Sequence, residues 1–96
     1  MQVNLSLKGK HAVICGASAG IGEAIARRMA AHGARVTLVA RRKERLTHLV
    51  QELTQSGADD AAARAWDLDE HASLAALAKE LVGERGPVHI LVTNTG

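Results

Sequence analysis

Short apolar runs alternate along the chain with longer stretches of mixed polarity. Three of the runs, residues 11–15, 35–39 and 89–93, are rich in β-branched side chains and are bounded by glycine or charged residues. Nearly continuous apolar segments of this kind are typical of strands buried on both faces of a parallel sheet. A fourth run, residues 62–66, is a weaker strand candidate because alanine is a poor strand former.

The stretches between these runs carry apolar residues at spacings of three and four, which predicts three amphipathic helices. We expect glycine to end each helix, at Gly33, at Gly57 and at Gly83, with Gly86 and Pro87 following the third. The apolar helical positions are Ile21, Ala24, Ile25, Met29 and Ala30, then Leu46, Leu49, Val50 and Leu53, then Leu74, Leu77, Ala78, Leu81 and Val82.

This alternation of strand and helix predicts an α/β fold, a doubly wound parallel sheet of the Rossmann type with four strands and three helices. Right-handed crossovers favour the strand order 3-2-1-4, with the first two helices on one face and the third on the other. A sheet of this class normally continues past its fourth strand. We therefore expect residues 1–96 to be the N-terminal part of a single dinucleotide-binding domain.

Composition narrows the class of protein. The chain has 96 residues, which suits one domain, and its net charge of +2 suits an anionic small molecule better than a nucleic acid. Cys15 is the only cysteine, so an internal disulfide is excluded. No signal peptide and no apolar run of the ~20 residues that cross a membrane are visible. These features favour a cytoplasmic protein without a membrane partner, and the five scattered histidines indicate no metal site.

A glycine-rich turn joins the first strand to the first helix, and it is the main candidate for binding chemistry. Glycines at 16, 20 and 22 allow a sharp turn and a close approach of the backbone to a pyrophosphate, which the N-terminus of the helix attracts. A tight turn without a ligand is the alternative. The predicted cradle comprises Gly16, Ser18, Ala19, Gly20, Ile21 and Gly22.

The end of the second strand bears on the choice of cofactor. Dinucleotide folds that bind NAD place an acidic residue about 20 positions after the glycines, where it binds the ribose 2′-hydroxyl. No acidic residue lies between Gly33 and Lys43 here, and Arg41 and Arg42 follow the strand instead. Guanidinium groups attract a 2′-phosphate, so NADP is predicted in preference to NAD. The alternative is a solvated charge cluster, although its sign is unfavourable at a helix N-terminus.

Four motifs together resemble the short-chain dehydrogenase/reductase family. The G-x-x-x-G-x-G spacing of the turn is similar to the family's TGxxxGxG, and residues 7–10 (LKGK) resemble its L-x-G-K lead-in. Asp67 and Leu68 resemble the family's aspartate near the adenine ring, and residues 93–96 (TNTG) resemble its NNAG motif. Cys15, Thr93 and Thr95 depart from these patterns.

The resemblance implies further site residues. It adds Asp67, Leu68, Asn94 and Gly96 to the cofactor site, and it gives position 40 to the acidic residue of NAD-binding members and position 41 to the arginine of NADP-binding members. The general appearance is close to members similar to 3-oxoacyl-carrier-protein reductase.

The implied activity is hydride transfer between NADP(H) and a small-molecule carbonyl or alcohol, in a homo-oligomeric full-length enzyme. The family's catalytic residues form a Ser…Tyr-x-x-x-Lys constellation, and this chain contains no tyrosine. No catalytic residue is therefore assigned, and the chain alone is expected to be inactive.

Two other functions remain open. One is a non-catalytic nucleotide-binding or interaction module that ends at residue 96. The other is a doubly wound methyltransferase, which Arg41 and the pair Asn94 and Gly96 disfavour.

Overall fold

A computed structural model describes residues 6–17, 20–58, 60–67 and 73–93 of the chain. Four strands and three helices alternate within these ranges, as the apolar pattern predicts. The elements are β1 (His11–Cys15), α1 (Gly20–Ala31), β2 (Arg35–Ala40), α2 (Glu44–Gln55), β3 (Ala61–Ala65), α3 (Ser73–Arg85) and β4 (Ile90–Thr93).

The strands form one parallel sheet in the order β3-β2-β1-β4, which confirms the predicted strand order. In the central pair, Val13 lies opposite Thr37, and Cys15 lies opposite both Val39 and Thr93. β1 is therefore held on both sides, and all of its residues are buried. The expectation of a doubly buried parallel strand is confirmed.

Several boundaries differ from the sequence prediction. β2 extends one residue further, to Ala40, and β4 begins one residue later, at Ile90. β3 begins and ends one residue earlier than expected, because the pairing with β2 stops at Ala65 opposite Ala40. Gly83 does not end the third helix. The helix continues through it to Arg85, and Gly86, at φ +90°, adopts the left-handed conformation that ends helices. A glycine inside a helix costs only about 1 kcal/mol, so it need not interrupt one.

The two faces of the sheet carry separate cores because successive side chains of a strand point to opposite faces. Ala12, Ile14 and Leu38 pack on the α1 and α2 side. Val13, Cys15 and Val39 pack on the other side, where Leu77 and Leu81 of α3 cover them. The predicted division of the helices between the two faces is therefore confirmed.

The face covered by α3 stays partly open along β4. Leu91 of β4 is 47% exposed, and a shallow, open apolar groove runs between β4 and α3. The groove is lined by Val13, Leu74, Leu77, Ala78, Leu81, Val88 and Leu91. Within the ranges that the structure describes, no helix is long and apolar enough to cross a membrane.

Candidate nucleotide-binding site

The carboxyl ends of three strands meet at one edge of the sheet. The backbone N–H of Gly16, just after β1, donates to the carbonyl of Val39 in β2 at 2.8 Å. The N–H of Trp66, just after β3, donates to the carbonyl of Ala40 at 2.9 Å. Ligands of open α/β sheets bind outside such strand ends, where the chain crosses to opposite faces of the sheet. Here that position is the end of β1.

The glycines of the turn meet two different geometric requirements. Gly16 has φ +81° and Gly20 has φ +61°, both in the left-handed region that other residues rarely adopt. Gly22 is buried in the first turn of α1, where an added Cβ would lie 2.9 Å from the carbonyl carbon of Gly16 and 3.1 Å from the Cα of Ala17. Helix α1 and the glycine turn therefore approach more closely than a residue with a side chain at position 22 would allow.

The outer part of the turn is open to a ligand. Gly20 is exposed, with open space where a Cβ would stand, and the side chain of Ile21 is 69% exposed. Ala17 is fully buried and fixes the turn against the α1 side of the core. The predicted cradle residues Ser18 and Ala19 lie outside the described residues.

Arg41 and Arg42 follow β2 at this same edge, and both are exposed. Lys43 stands at the N-cap position of α2, where, among the described residues, no side-chain capping hydrogen bond is made. Three cations thus adjoin a helix N-terminus, whose dipole is itself positive at that end. Positive charge of this kind attracts anionic groups.

Asp67 is exposed and comes two residues after the end of β3. Its neighbour Trp66 is half-buried and packs against the core beneath α3. The other predicted site residues after β3 and β4, which are Leu68, Asn94 and Gly96, lie outside the described residues. Thr93, the last residue of β4, lies opposite Cys15.

A contact that the sequence did not predict fixes this region. Arg64 of β3 donates to both carboxylate oxygens of Glu84, at 2.7 and 2.6 Å, and to Glu80 at 2.6 Å. Its guanidinium carbon also lies 5.9 Å from the centre of the Trp66 ring. The contact joins the edge strand to α3 near Asp67. Glu80 and Glu84 follow Arg64 by 16 and 20 residues in sequence, so no local sequence pattern indicates this contact.

Cys15 is a packing residue. Its thiol is fully buried, and this burial raises the pKa of the thiol above the usual value, which disfavours the reactive thiolate. Among the residues that the structure describes, no group of three or more histidine, cysteine or acidic side chains is arranged to hold a metal ion.

Comparison with known proteins agrees with this geometry. The family model for short chain dehydrogenase matches residues 10–96. Over 93 residues the chain is 41% identical to 7alpha-hydroxysteroid dehydrogenase of Escherichia coli strain K12, covering 97% of this chain and 36% of that protein. Over 92 residues it is 39% identical to a probable oxidoreductase of Streptomyces lividans, covering 96% of this chain and 30% of the relative.

Solved structures give the same result. A metagenomic short-chain oxidoreductase in complex with NADP superposes with a TM-score of 0.85 at 40% identity, over 98% of this chain and 41% of that one. L-sorbose reductase from Gluconobacter frateurii, complexed with NADPH and L-sorbose, superposes with a TM-score of 0.87 at 34% identity, over 98% and 36%. The chain thus spans between 30% and 41% of the length of these four relatives. It belongs to the short-chain dehydrogenase family.

Proposed function

We propose that this chain is the cofactor-binding part of an NADP(H)-dependent oxidoreductase, which transfers hydride between the nicotinamide and a small-molecule carbonyl or alcohol. The observation that carries the proposal is the close packing of Gly22 on Gly16 beside two exposed arginines. This arrangement exposes backbone and positive charge together, as a phosphorylated dinucleotide requires.

The pyrophosphate is assigned to the glycine turn. The positive φ angles of Gly16 and Gly20 and the restricted space at Gly22 leave the backbone at the start of α1 uncovered by side chains. A helix N-terminus with accessible backbone N–H groups binds phosphate groups well. Ser18, Ala19 and Ile21 complete this cradle in the proposal.

The adenosine half is assigned to the ends of β2 and β3. Arg41 and Arg42 bind the 2′-phosphate in the proposal, and the lack of an acidic residue at this position removes the group that would repel that phosphate. Asp67 and Leu68 border the adenine. The NADP and NADPH complexes of the metagenomic oxidoreductase and of L-sorbose reductase support a nicotinamide cofactor.

Asn94 and Gly96, which follow β4 in the sequence, complete the cofactor site in the proposal. The chain contains no tyrosine, so it supplies no tyrosine general acid or base. In the proposal its role is to bind and orient the dinucleotide, and the complete enzyme is a homo-oligomer that brings the catalytic residues and a carbonyl or alcohol substrate to it.

The test compares adenosine 2′,5′-bisphosphate with adenosine 5′-monophosphate, because these probes differ only in the 2′-phosphate. Titration calorimetry should give tighter binding of the bisphosphate to the chain. Arg41→Ala should weaken this binding about 10- to 150-fold, the equivalent of about 1.5–3 kcal/mol for a hydrogen bond to a charged group. Binding of the monophosphate should hardly change.

Arg28→Ala is the matched control. It removes the same charge from the last turn of α1, the opposite end of that helix from the glycine turn, and should change either affinity by less than about two-fold. Equal weakening of both probes by Arg41→Ala, or an equal effect of Arg28→Ala, would contradict the assignment of the 2′-phosphate. If neither probe binds the folded chain, the cofactor site itself is wrong.

A further inference from the structure

A buried polar network lies at the amino edge of the sheet, opposite the candidate nucleotide site. His11, the first residue of β1, is completely buried, and Thr37 of β2 is 1% exposed. Both ring nitrogens of His11 have partners: Nδ1 lies 3.3 Å from the carbonyl oxygen of Pro87, and Nε2 lies 2.7 Å from the hydroxyl of Thr37. A histidine so enclosed meets no solvent.

The partners determine where the protons lie. The carbonyl of Pro87 can only accept, so Nδ1 carries the ring proton. The hydroxyl of Thr37 accepts from Nε of Arg85 at 2.7 Å, and its own proton is therefore directed to Nε2 of His11. A single chain of hydrogen bonds thus runs from Arg85 through Thr37 and His11 to Pro87, and it requires a neutral imidazole.

The network fixes the C-terminal end of α3. Arg85, the last residue of α3, also donates to Asp60 at 2.8 Å, and its carbonyl accepts from Arg35 at 2.8 Å. Arg35 donates to the same oxygen of Asp60 at 3.2 Å. His89, which precedes β4, accepts the backbone N–H of His11 at its Nδ1 atom, at 3.0 Å.

Within the described ranges, the charged groups around His11 leave no counterion for an imidazolium. Arg85 from α3 and Arg35 from β2 are both cationic, and the carboxylate described beside them, Asp60, already accepts from both. A proton on Nε2 would turn that atom from an acceptor into a donor. The hydroxyl of Thr37 would then face two donors, and its own proton would lose its acceptor.

We propose that His11 is a proton-sensitive latch: its neutral ring holds the C-terminal end of α3 on the sheet, and protonation releases that end. The release separates Arg85 from the new charge and removes one of the two donors that face the hydroxyl of Thr37. Because Leu77 and Leu81 of α3 cover the core that contains Val13 and Trp66, the release also loosens that core.

The direction of the pH dependence follows from the environment of the ring. Burial, and next the charge of Arg85, lower the pKa of His11 below its usual value of 6.5, against a smaller opposing effect of the Pro87 carbonyl. The unfolded chain therefore binds this proton more readily than the folded chain. Stability is complete above about pH 6.5 and is lost as the pH falls from there through the lower folded pKa.

Urea unfolding tests the latch, with fluorescence as the signal, because Trp66 is the only aromatic residue and packs beneath α3. Between about pH 7.5 and pH 5.5, a range in which histidine is the main titrating side chain, the urea midpoint of the native chain should fall. His11→Gln should remove this dependence. His89→Asn, which keeps an acceptor near the position of Nδ1, should retain it.

Two measurements on the unaltered chain keep the test decisive even if His11→Gln does not fold. The NMR titration of the His11 ring should give a pKa below the usual 6.5. Amide exchange, corrected for its intrinsic pH dependence, should show α3 losing protection relative to α2 as the pH falls. The latch is overturned by a ring that titrates at or above 6.5, by equal loss of protection in both helices, or by a pH dependence that persists in His11→Gln.

Discussion

Gly22 lies in the first turn of α1 and Gly83 in the last turn of α3, and replacing each by alanine should give effects of opposite sign. Gly83 in α3 has open space where a Cβ would stand, whereas a Cβ on Gly22 in α1 would collide with the backbone of Gly16. Both substitutions remove the same freedom from the unfolded chain. The difference between the two variants therefore reports the folded state, and it measures how closely α1 packs on the turn.

The magnitudes follow from the space available at each position. Gly83→Ala should raise the free energy of unfolding by about 0.5–1 kcal/mol, the usual advantage of alanine in a helix. Gly22→Ala gains the same amount but must push α1 away from the turn, and overpacking of this kind costs about 1–3 kcal/mol. The net loss should be about 0.5–2 kcal/mol.

Urea titration followed by Trp66 fluorescence and by circular dichroism measures both variants. With a slope of about 1 kcal/mol per molar urea for a chain of this size, Gly83→Ala should raise the midpoint by about 0.5–1 M and Gly22→Ala should lower it by about 0.5–2 M. Gly22→Ala should also weaken binding of adenosine 2′,5′-bisphosphate, whereas Gly83→Ala should not. A midpoint for Gly22→Ala as high as that for Gly83→Ala would refute the reasoning about close packing.

Two further predictions concern the buried side chains. Leu46→Ala should lower the free energy of unfolding by about 2–5 kcal/mol, because Leu46 is fully buried in the core beneath α2. The control Gln51→Ala, at an exposed position of the same helix, should change the free energy of unfolding by less than about 0.5 kcal/mol in the same urea assay. Cys15 should resist alkylation at about pH 8 in the native chain and react quickly in denaturant, because burial both encloses the thiol and raises its pKa. Mass spectrometry measures the labelling, and rapid labelling of the native chain would contradict this prediction.

The fold could be predicted from the sequence because its main signals are local. β1 and β2 are nearly continuous apolar runs, and the handedness of crossovers then leaves the observed strand order as the favoured one. Gly83 and Gly86 show where local signals fail. Both are glycines near the end of an apolar pattern, and only the positive φ of Gly86 identifies it as the residue that ends α3.

The candidate site likewise has motifs that are visible in the sequence, whereas other contacts of the structure are not. The glycine turn and the arginines after β2 could be predicted because each motif is contiguous in sequence. The contacts of Arg64 and the network around His11 could not, since Thr37 lies 26 residues from His11 and Arg85 lies 48 residues from Thr37. Such partners meet only after the strands are ordered in the sheet, and a polar residue in an apolar strand gives no indication of which distant group will satisfy it.

The position of β4 in the strand order has a consequence for how the chain is connected. β1, β2 and β3 are neighbours in sequence and in the sheet, each joined to the next by one helix, whereas β4 returns to β1 across the whole intervening chain. Closing this longer loop costs about 1 kcal/mol more conformational entropy than closing either of the shorter loops. The glycine turn and Arg41 both belong to the short-range part. The part of the candidate site that is proposed to bind phosphate is thus built from one continuous segment and does not depend on the most distant strand pair in the sheet.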